Sequence, residues 1–164
     1  MRACVPSDGP GIWRLVRDSG VLDENSAYLY LLLCRDFSDT CLVAERDGRL
    51  AGFVTAYRPP DEPEVLFIWQ VAVAPAARRQ GVALQMLTEL VDRVGRSSLR
   101  FIEATVAPSN SASRQLFASL ARTLDVPLTI VPEEGFTQND FPSGDHEPEP
   151  RVRIGPGIGR DSGG

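Results

Sequence analysis

The chain is 164 residues long and 43% hydrophobic, enough for one well-packed core and too short for two ordinary domains. With 17 basic against 22 acidic side chains and a net charge of −5, it lacks the positive field that supplies most of the affinity of nucleic-acid binders, so DNA and RNA are not expected partners. Every basic residue is an arginine, which excludes a lysine nucleophile or Schiff base.

Cys4, Cys34 and Cys41 share no Cys-x-x-Cys spacing, and any disulfide would leave one of them over; reduced thiols and no metal site are expected. No apolar run approaches the roughly 20 residues that span a bilayer, and the first residues lack the apolar core of a secretion signal, so the expected location is the cytoplasm.

In chain order, Arg2 to Val5 reads as a short strand. Pro6-Ser7-Asp8-Gly9 then offers a turn and a cap for a helix carrying Ile12, Trp13, Leu15 and Val16. Asp23 to Ser26 reads as a loop and cap before a largely buried helix, Tyr28 to Cys34, dense in leucine and tyrosine. Next, Cys41 to Ala44 and Leu50 to Tyr57 flank Asp47-Gly48, a two-residue hairpin signal, and Pro59-Pro60 closes the second strand. Val65 to Val73 is a nearly continuous apolar run ending before Pro75, the pattern of a central strand covered on both faces.

After Gly81, the residues Leu84, Leu87, Leu90, Val91 and Val94 fall at helical spacing on one stripe. Leu99 to Val106 reads as another strand, and Ser109-Asn110 caps a helix with Ala112, Leu116, Leu120 and Ala121 inward. Strand, helix, strand, helix beside a hairpin predicts a mixed, mostly antiparallel α/β sheet with one parallel crossover, flanked by helices. Val126 to Val131 reads as a last strand. Pro132 to Pro150 reads as a long loop rich in Gly, Pro, Asp and Glu, of the kind that is functional, disordered or ordered by a partner. One domain over residues 1–156 and a flexible tail at 157–164 are expected.

The segment Gln70-Val71-Ala72-Val73 followed by Arg78-Arg79-Gln80-Gly81-Val82-Ala83 carries the clearest chemistry. A strand, a turn and a helix opening on glycine expose backbone N–H groups to which an anion can bind. Neither Gly-x-x-x-x-Gly-Lys-[Ser/Thr] nor Gly-x-Gly-x-x-Gly is present in the segment. What remains, Arg-x-x-Gly-x-Ala after a Val-Ala-Val strand, resembles the pyrophosphate loop of the GNAT superfamily of N-acetyltransferases. That resemblance covers roughly residues 2–131. It implies the GNAT fold and acetyl-CoA as co-substrate, with the pantetheine arm pairing along Val71, Ala72 and Val73 and the pyrophosphate held by Arg78, Arg79, Gly81, Val82 and Ala83. Asn110-Ser111-Ala112-Ser113-Arg114-Gln115-Leu116-Phe117 is similar to the family's second motif, Asn-x-x-Ala-x-x-Leu-Tyr, and implies a contact from Asn110 to the cofactor arm. Phe117 stands where many members carry a tyrosine that protonates the leaving thiolate, a role phenylalanine cannot fill.

Within the superfamily, the L-2,4-diaminobutyrate N-acetyltransferases of ectoine biosynthesis are the branch this chain resembles. The matching blocks run from Leu22-Asp23-x-Asn25-Ser26-x-Tyr28-x-Tyr30-Leu31-Leu32-Leu33-Cys34 through Tyr57-Arg58-Pro59-Pro60 and Leu66-Phe67-Ile68-Trp69-Gln70-Val71-Ala72-Val73 to Ala104-Thr105-Val106-x-Pro108-Ser109-Asn110-x-x-Ser113-Arg114-x-Leu116-Phe117. Phenylalanine at position 117 fits this branch. The resemblance implies a small diamino acid as substrate, no membrane partner and a homodimer. Asp23, Tyr28 and Trp69 are expected to line the pocket, with His146 and Glu147 or Glu149 contributed by the tail. Asp23, Tyr28 and Glu149 are the expected catalytic groups, and Glu103 is a further carboxylate that strand alternation can turn toward solvent. Two rival readings remain open: the same chemistry on another small amine, and a GNAT module that binds CoA without turnover.

Overall fold

The computed structural model describes the chain apart from Val21, Asp23, Ser143, Asp145 and Arg160–Gly164. Seven strands, β1 (Arg2–Ala3), β2 (Leu42–Arg46), β3 (Arg49–Tyr57), β4 (Val65–Val73), β5 (Phe101–Thr105), β6 (Leu128–Phe136) and β7 (Glu149–Ile154), join in the order β1-β2-β3-β4-β5-β7-β6. The helices are α1 (Gly9–Ser19), α2 (Ala27–Asp36), α3 (Val82–Val94) and α4 (Ser111–Leu124). Among the ladders described, only β4–β5 is parallel, with Val65 opposite Phe101 and Phe67 opposite Glu103; β1–β2, β2–β3, β5–β7 and β6–β7 are antiparallel. A parallel neighbour requires a crossover, which α3 supplies.

By its contacts the chain divides into two compact units, Met1–Tyr57 with Ile68–Gly95, and Arg58–Phe67 with Arg96–Gly164. In the first unit, the β2–β3 hairpin turns at Asp47 and Gly48, both with positive φ (51° and 71°), as a tight primed turn requires. The core packs Cys4, Ile12, Val16, Tyr30, Leu33, Cys34, Cys41, Val43 and Phe53 together, with Trp13, Trp69 and Ala72 against them. Gly52 lets neighbouring groups come close: a Cβ there would lie 2.9 Å from both the Ala72 carbonyl oxygen and Met86 Cε. Helix α3 buries Met86, Leu87, Leu90 and Val91, close to the stripe expected from sequence.

In the second unit, α4 begins at Asn110, whose side-chain oxygen accepts from the Ser113 N–H at 3.0 Å, and buries Phe117, Leu120, Ala121 and Leu124. Ala112, expected inward, is exposed, since the buried arc of α4 begins at Phe117. The expected loop from Pro132 to Pro150 is corrected at both ends. Strand β6 continues to Phe136, and Glu149 and Pro150 open β7. Pro132 is tolerated because β6 is an edge strand with a register shift between Val131 and Phe136. Ile158 is 3% exposed, and a Cβ on Gly159 would collide with the backbone at Ser97, so the chain stays packed through these residues; the rest of the expected tail lies outside the described residues.

Arg2 ties the start of the chain together. Its guanidinium donates to both Asp8 oxygens at 2.7 and 2.8 Å and to Glu45 at 2.8 and 3.1 Å. The Asp8 carboxyl is held below its usual range, first by Arg2 and then, against some desolvation, by the Val5 N–H. A carboxylate depressed in the folded state stabilises the fold above its unfolded pKa, near 3.8, and that contribution is lost as pH falls through the lower folded value. The Tm difference between wild type and Asp8→Asn is therefore expected to be constant from pH 7 to 5 and to shrink below pH 4; a difference independent of pH down to 3 would contradict this assignment.

Candidate active site

The anion-binding segment is built from the end of β4 and the start of α3. Val71, Ala72 and Val73 are half-buried, and the β4–β5 ladder stops at Phe67, six residues before β4 ends. A short 3-10 turn, Pro75–Ala77, follows, anchored by the Ala74 N–H donating to the Ala51 carbonyl at 2.8 Å. Arg78 Nε donates back to the Val73 carbonyl at 3.3 Å, folding the loop onto the strand end. Arg79 (φ 60°) and Gly81 (φ 76°) are left-handed, so the backbone reverses before α3.

The first α3 residues, Val82 to Leu84, precede the Gln85 N–H to Gly81 carbonyl bond of 3.0 Å, and no side chain caps the helix. A Cβ at Gly81 would meet nothing within 4 Å, so the space beside the helix start is open at this residue. Nearby in sequence, Arg78 and Arg79 have no carboxylate partner among the described residues. Arg2, Arg17, Arg35, Arg100, Arg151 and Arg153, in contrast, are ion-paired. Uncapped helix-start donors, a left-handed glycine and two exposed guanidinia without a carboxylate partner among the described residues have the chemistry a pyrophosphate requires.

In the same unit, Tyr30 on α2 is fully buried, and its hydroxyl donates to Gln70 Oε1 at 2.9 Å. Its ring stacks on Trp69, with centroids 6.3 Å apart at 20°. Burial raises the Tyr30 pKa, while Asn25 and Gln70 pull it down, so the phenol is neutral at physiological pH. Tyr28, two positions earlier, is 63% exposed. Asp23 lies outside the described residues. Trp13 Nε1 donates to the Asn25 carbonyl at 3.1 Å, fixing the chain just before α2.

In the second unit, the end of β5 and the start of β7 gather three of the expected side chains. The Glu149 carboxylate accepts from Thr105 Oγ1 at 2.6 Å and lies 3.9 Å from His146 Nε2. His146 stacks on Phe141, with centroids 3.7 Å apart, and its Nδ1 lies 2.7 Å from the Glu147 carbonyl. A carbonyl only accepts, so that contact places a proton on Nδ1. The Glu147 carboxylate accepts from Ser109 Oγ, next to the Asn110 cap. A separate apolar cavity of about 490 Å³ includes Val106, Arg114, Ile130, Phe136, Pro148 and Pro150 in its lining; none of the expected substrate residues lines it.

Residues 11–121 match the Acetyltransferase (GNAT) family. The chain belongs to the GNAT acetyltransferase family. It is 44% identical over 149 residues to the L-2,4-diaminobutyric acid acetyltransferase of Halalkalibacterium halodurans, covering 91% of this chain and 77% of that protein. It is 47% identical over 151 residues to the enzyme of the same name from Streptomyces anulatus, covering 91% and 85%. Among solved structures it is similar to diaminobutyrate acetyltransferase EctA from Paenibacillus lautus in complex with L-2,4-diaminobutyric acid and coenzyme A, with 47% identity and a TM-score of 0.90 over 99% of this chain and 96% of that one. Ard1 from Thermoplasma volcanium shares the fold at 16% identity, with a TM-score of 0.71 over 93% of each chain.

Two features bear on this GNAT chain's chemistry. Phe117 is 3% exposed on the buried side of α4, where it serves as packing. Glu103 is 1% exposed, and its oxygens accept from Arg151 at 2.7 Å and Arg153 at 2.5 Å. The carboxylate that alternation could turn toward solvent is thus a buried counter-ion for two arginines, which removes it as a base. Sequence reasoning gave no role to Tyr30, Gln70 or Thr105, although all three lie within the blocks that carry the resemblance. The available signal for the first pair was a tyrosine and a glutamine inside apolar runs, since a buried polar group must find a partner. Tyr30→Phe, which removes the hydroxyl's bonds to Gln70 and Asn25 and little volume, is expected to lower stability by about 0.5–1.5 kcal/mol per bond, read by urea denaturation; a midpoint equal to wild type would show that the hydroxyl contributes nothing.

Proposed function

We propose that this GNAT protein transfers an acetyl group from acetyl-CoA to the side-chain (N4) amine of L-2,4-diaminobutyrate, a step of ectoine biosynthesis. The observation that carries this reading is the match over nearly the whole chain to EctA in complex with that diamino acid and coenzyme A. The helix start at Gly81 supports the nucleotide side of it independently, because its uncapped donors and the two adjacent exposed arginines suit a pyrophosphate.

In this reading Val71, Ala72 and Val73 bind the pantetheine arm through the main chain. Arg78, Arg79, Gly81, Val82 and Ala83 bind the pyrophosphate, and Asn110 contacts the arm while capping α4. Asp23, Tyr28 and Trp69, with His146, Glu147 and Glu149, are assigned to the diamino acid. Acetyl-CoA supplies the acetyl group as a thioester. An alkyl ammonium with a pKa near 10.4 is roughly 3.4 units from neutrality, so the neutral nucleophile costs about 4.6 kcal/mol at pH 7. A positioned base commonly contributes about 10² to 10⁴ in rate, comparable with that cost. Asp23 and Glu149 are the carboxylates we assign to receive and hold the proton, with Tyr28 as the third catalytic group. Backbone N–H groups at Val71 to Val73 are offered to the negative charge that develops on the carbonyl oxygen during direct attack. No covalent acyl-enzyme is involved: Cys34 and Cys41 are buried, and burial away from a base leaves a thiol inert.

The three unpaired cysteines suit a reducing compartment, and we assign the protein to the cytoplasm. A homodimer belongs to the same reading, on the resemblance to the branch.

Steady-state assays with acetyl-CoA and a panel of diaminobutyrate, ornithine, lysine and diaminopropane test the substrate. Diaminobutyrate is expected to exceed the others in kcat/KM by about tenfold or more, equivalent to roughly 1.4 kcal/mol of discrimination, with acetylation at N4 by NMR of the product. Equal rates across the panel would overturn the substrate assignment, and CoA binding without turnover on any amine would overturn the enzymatic one.

A further inference from the structure

One face of the β5–β7–β6 sheet carries a row of polar side chains that the proposed mechanism uses only at its end. Alternation places Glu103 and Thr105 of β5 on the same face as Glu149, Arg151 and Arg153 of β7, while Ile102, Ala104, Val152 and Ile154 on the other face are buried. The register sets Glu103 opposite Arg153 and Thr105 opposite Arg151. Glu103 binds both arginines, and Arg153 also pairs with Glu134. Arg151 Nε donates to the Glu134 carbonyl at 3.0 Å. Both guanidinia are thus engaged by acceptors other than Glu149.

Glu149 is held differently. Its Oε2 takes the Thr105 hydroxyl at 2.6 Å, a short bond of the charge-assisted type, and the Pro150 carbonyl takes the Val106 N–H at 3.1 Å. Pro148 and Pro150 on either side restrict the backbone, and a β-branched threonine is stiff at χ1, so donor and acceptor are both preset. A hydroxyl orients a carboxylate without cancelling its charge, whereas an arginine at the same place would neutralise it. This is the arrangement required of a carboxylate that must attract a substrate ammonium.

We infer that Thr105 is a positioning residue for the amine: its hydroxyl fixes Oε2 of Glu149 without adding charge, so that Oε1, which has His146 Nε2 at 3.9 Å as its neighbour, is presented to the ammonium of the diamino acid. The inference rests on the assignment of Glu149 to the substrate. It also gives the Glu103–Arg151–Arg153 cluster a consequence for binding, since it keeps the nearest guanidinium on the β7 face engaged elsewhere.

The test compares Thr105→Val, Thr105→Ser, Glu149→Gln and the double variant Thr105→Val/Glu149→Gln by steady-state kinetics, with thermal melts confirming that each folds. Thr105→Val, nearly equal in shape, is expected to raise KM for diaminobutyrate about tenfold, the scale of one hydrogen bond to a charged group, and to leave KM for acetyl-CoA unchanged. Thr105→Ser, which keeps the donor, is expected to restore KM to within about twofold of wild type. In the Glu149→Gln background, Thr105→Val is expected to add little, because the residue acts through the carboxylate. An unchanged KM in Thr105→Val, no rescue by serine, or the full effect of Thr105→Val persisting in Glu149→Gln would each overturn the inference while leaving the role of Glu149 standing. A wild-type KM in Glu149→Gln would overturn the role of Glu149 and this inference with it.

Discussion

The Tyr30 hydroxyl, shut away from water and bonded to Gln70 Oε1 at 2.9 Å, is the contact on which the first half of the site depends. It joins α2 to β4 at the residue between Trp69 and Val71. Polar pairs in a low-dielectric interior are direction-sensitive and costly to misplace, so the bond specifies where along β4 the helix sits. Stacking of Tyr30 on Trp69 adds a second restraint on the same helix and strand. Strand β4 then runs three further residues, Val71 to Val73, before the turn that leads to Gly81. One buried pair therefore fixes an aromatic side chain assigned to the substrate and, immediately after it, the main chain assigned to the cofactor.

Charge is distributed with equal economy. In a chain of net charge −5, Arg2, Arg151 and Arg153 are held by carboxylates of the fold, while Arg78 and Arg79 beside the α3 start are, like several other surface arginines, without such partners among the described residues. The negative side of the site follows the opposite rule. Glu103 is consumed by two guanidinia, whereas Glu149 is oriented by a neutral hydroxyl. A carboxylate gripped by two guanidinia is structural; one oriented by a hydroxyl, with only the His146 ring at 3.9 Å beside it, remains able to bind. This distinction separates Glu103 from Glu149, two carboxylates on one face of the same sheet.

Much of this was readable from sequence where the signal was local. The nine-residue apolar run ending before Pro75 became β4 without adjustment, Asp47-Gly48 became the hairpin turn, and Asn110 became the α4 cap. Strand β7 was missed because four of its six residues are Glu, Pro or Arg. Its arginines are accommodated by Glu103, about 50 positions away in the chain, and by Glu134 on β6, and no local pattern encodes those pairings. Within α2, leucine and tyrosine cover most of the surface, so sequence periodicity leaves the inward direction open; the fold buries Tyr30 and exposes Tyr28. The role of Thr105 was equally hidden, since a threonine in a strand is ordinary and acquires meaning only from the Glu149 carboxylate its hydroxyl reaches on β7.

The central claim is that the end of β4 and the start of α3 hold the CoA moiety while the amine is drawn to carboxylates elsewhere in the chain. Residue-resolved amide hydrogen exchange with and without CoA tests it most directly. The account predicts slowed exchange at Val71, Val73 and Val82 to Leu84 on adding CoA, with further slowing around residues 146–149 only when diaminobutyrate is also present. Unchanged exchange at Val71, Val73 and Val82 to Leu84 under saturating CoA would contradict it.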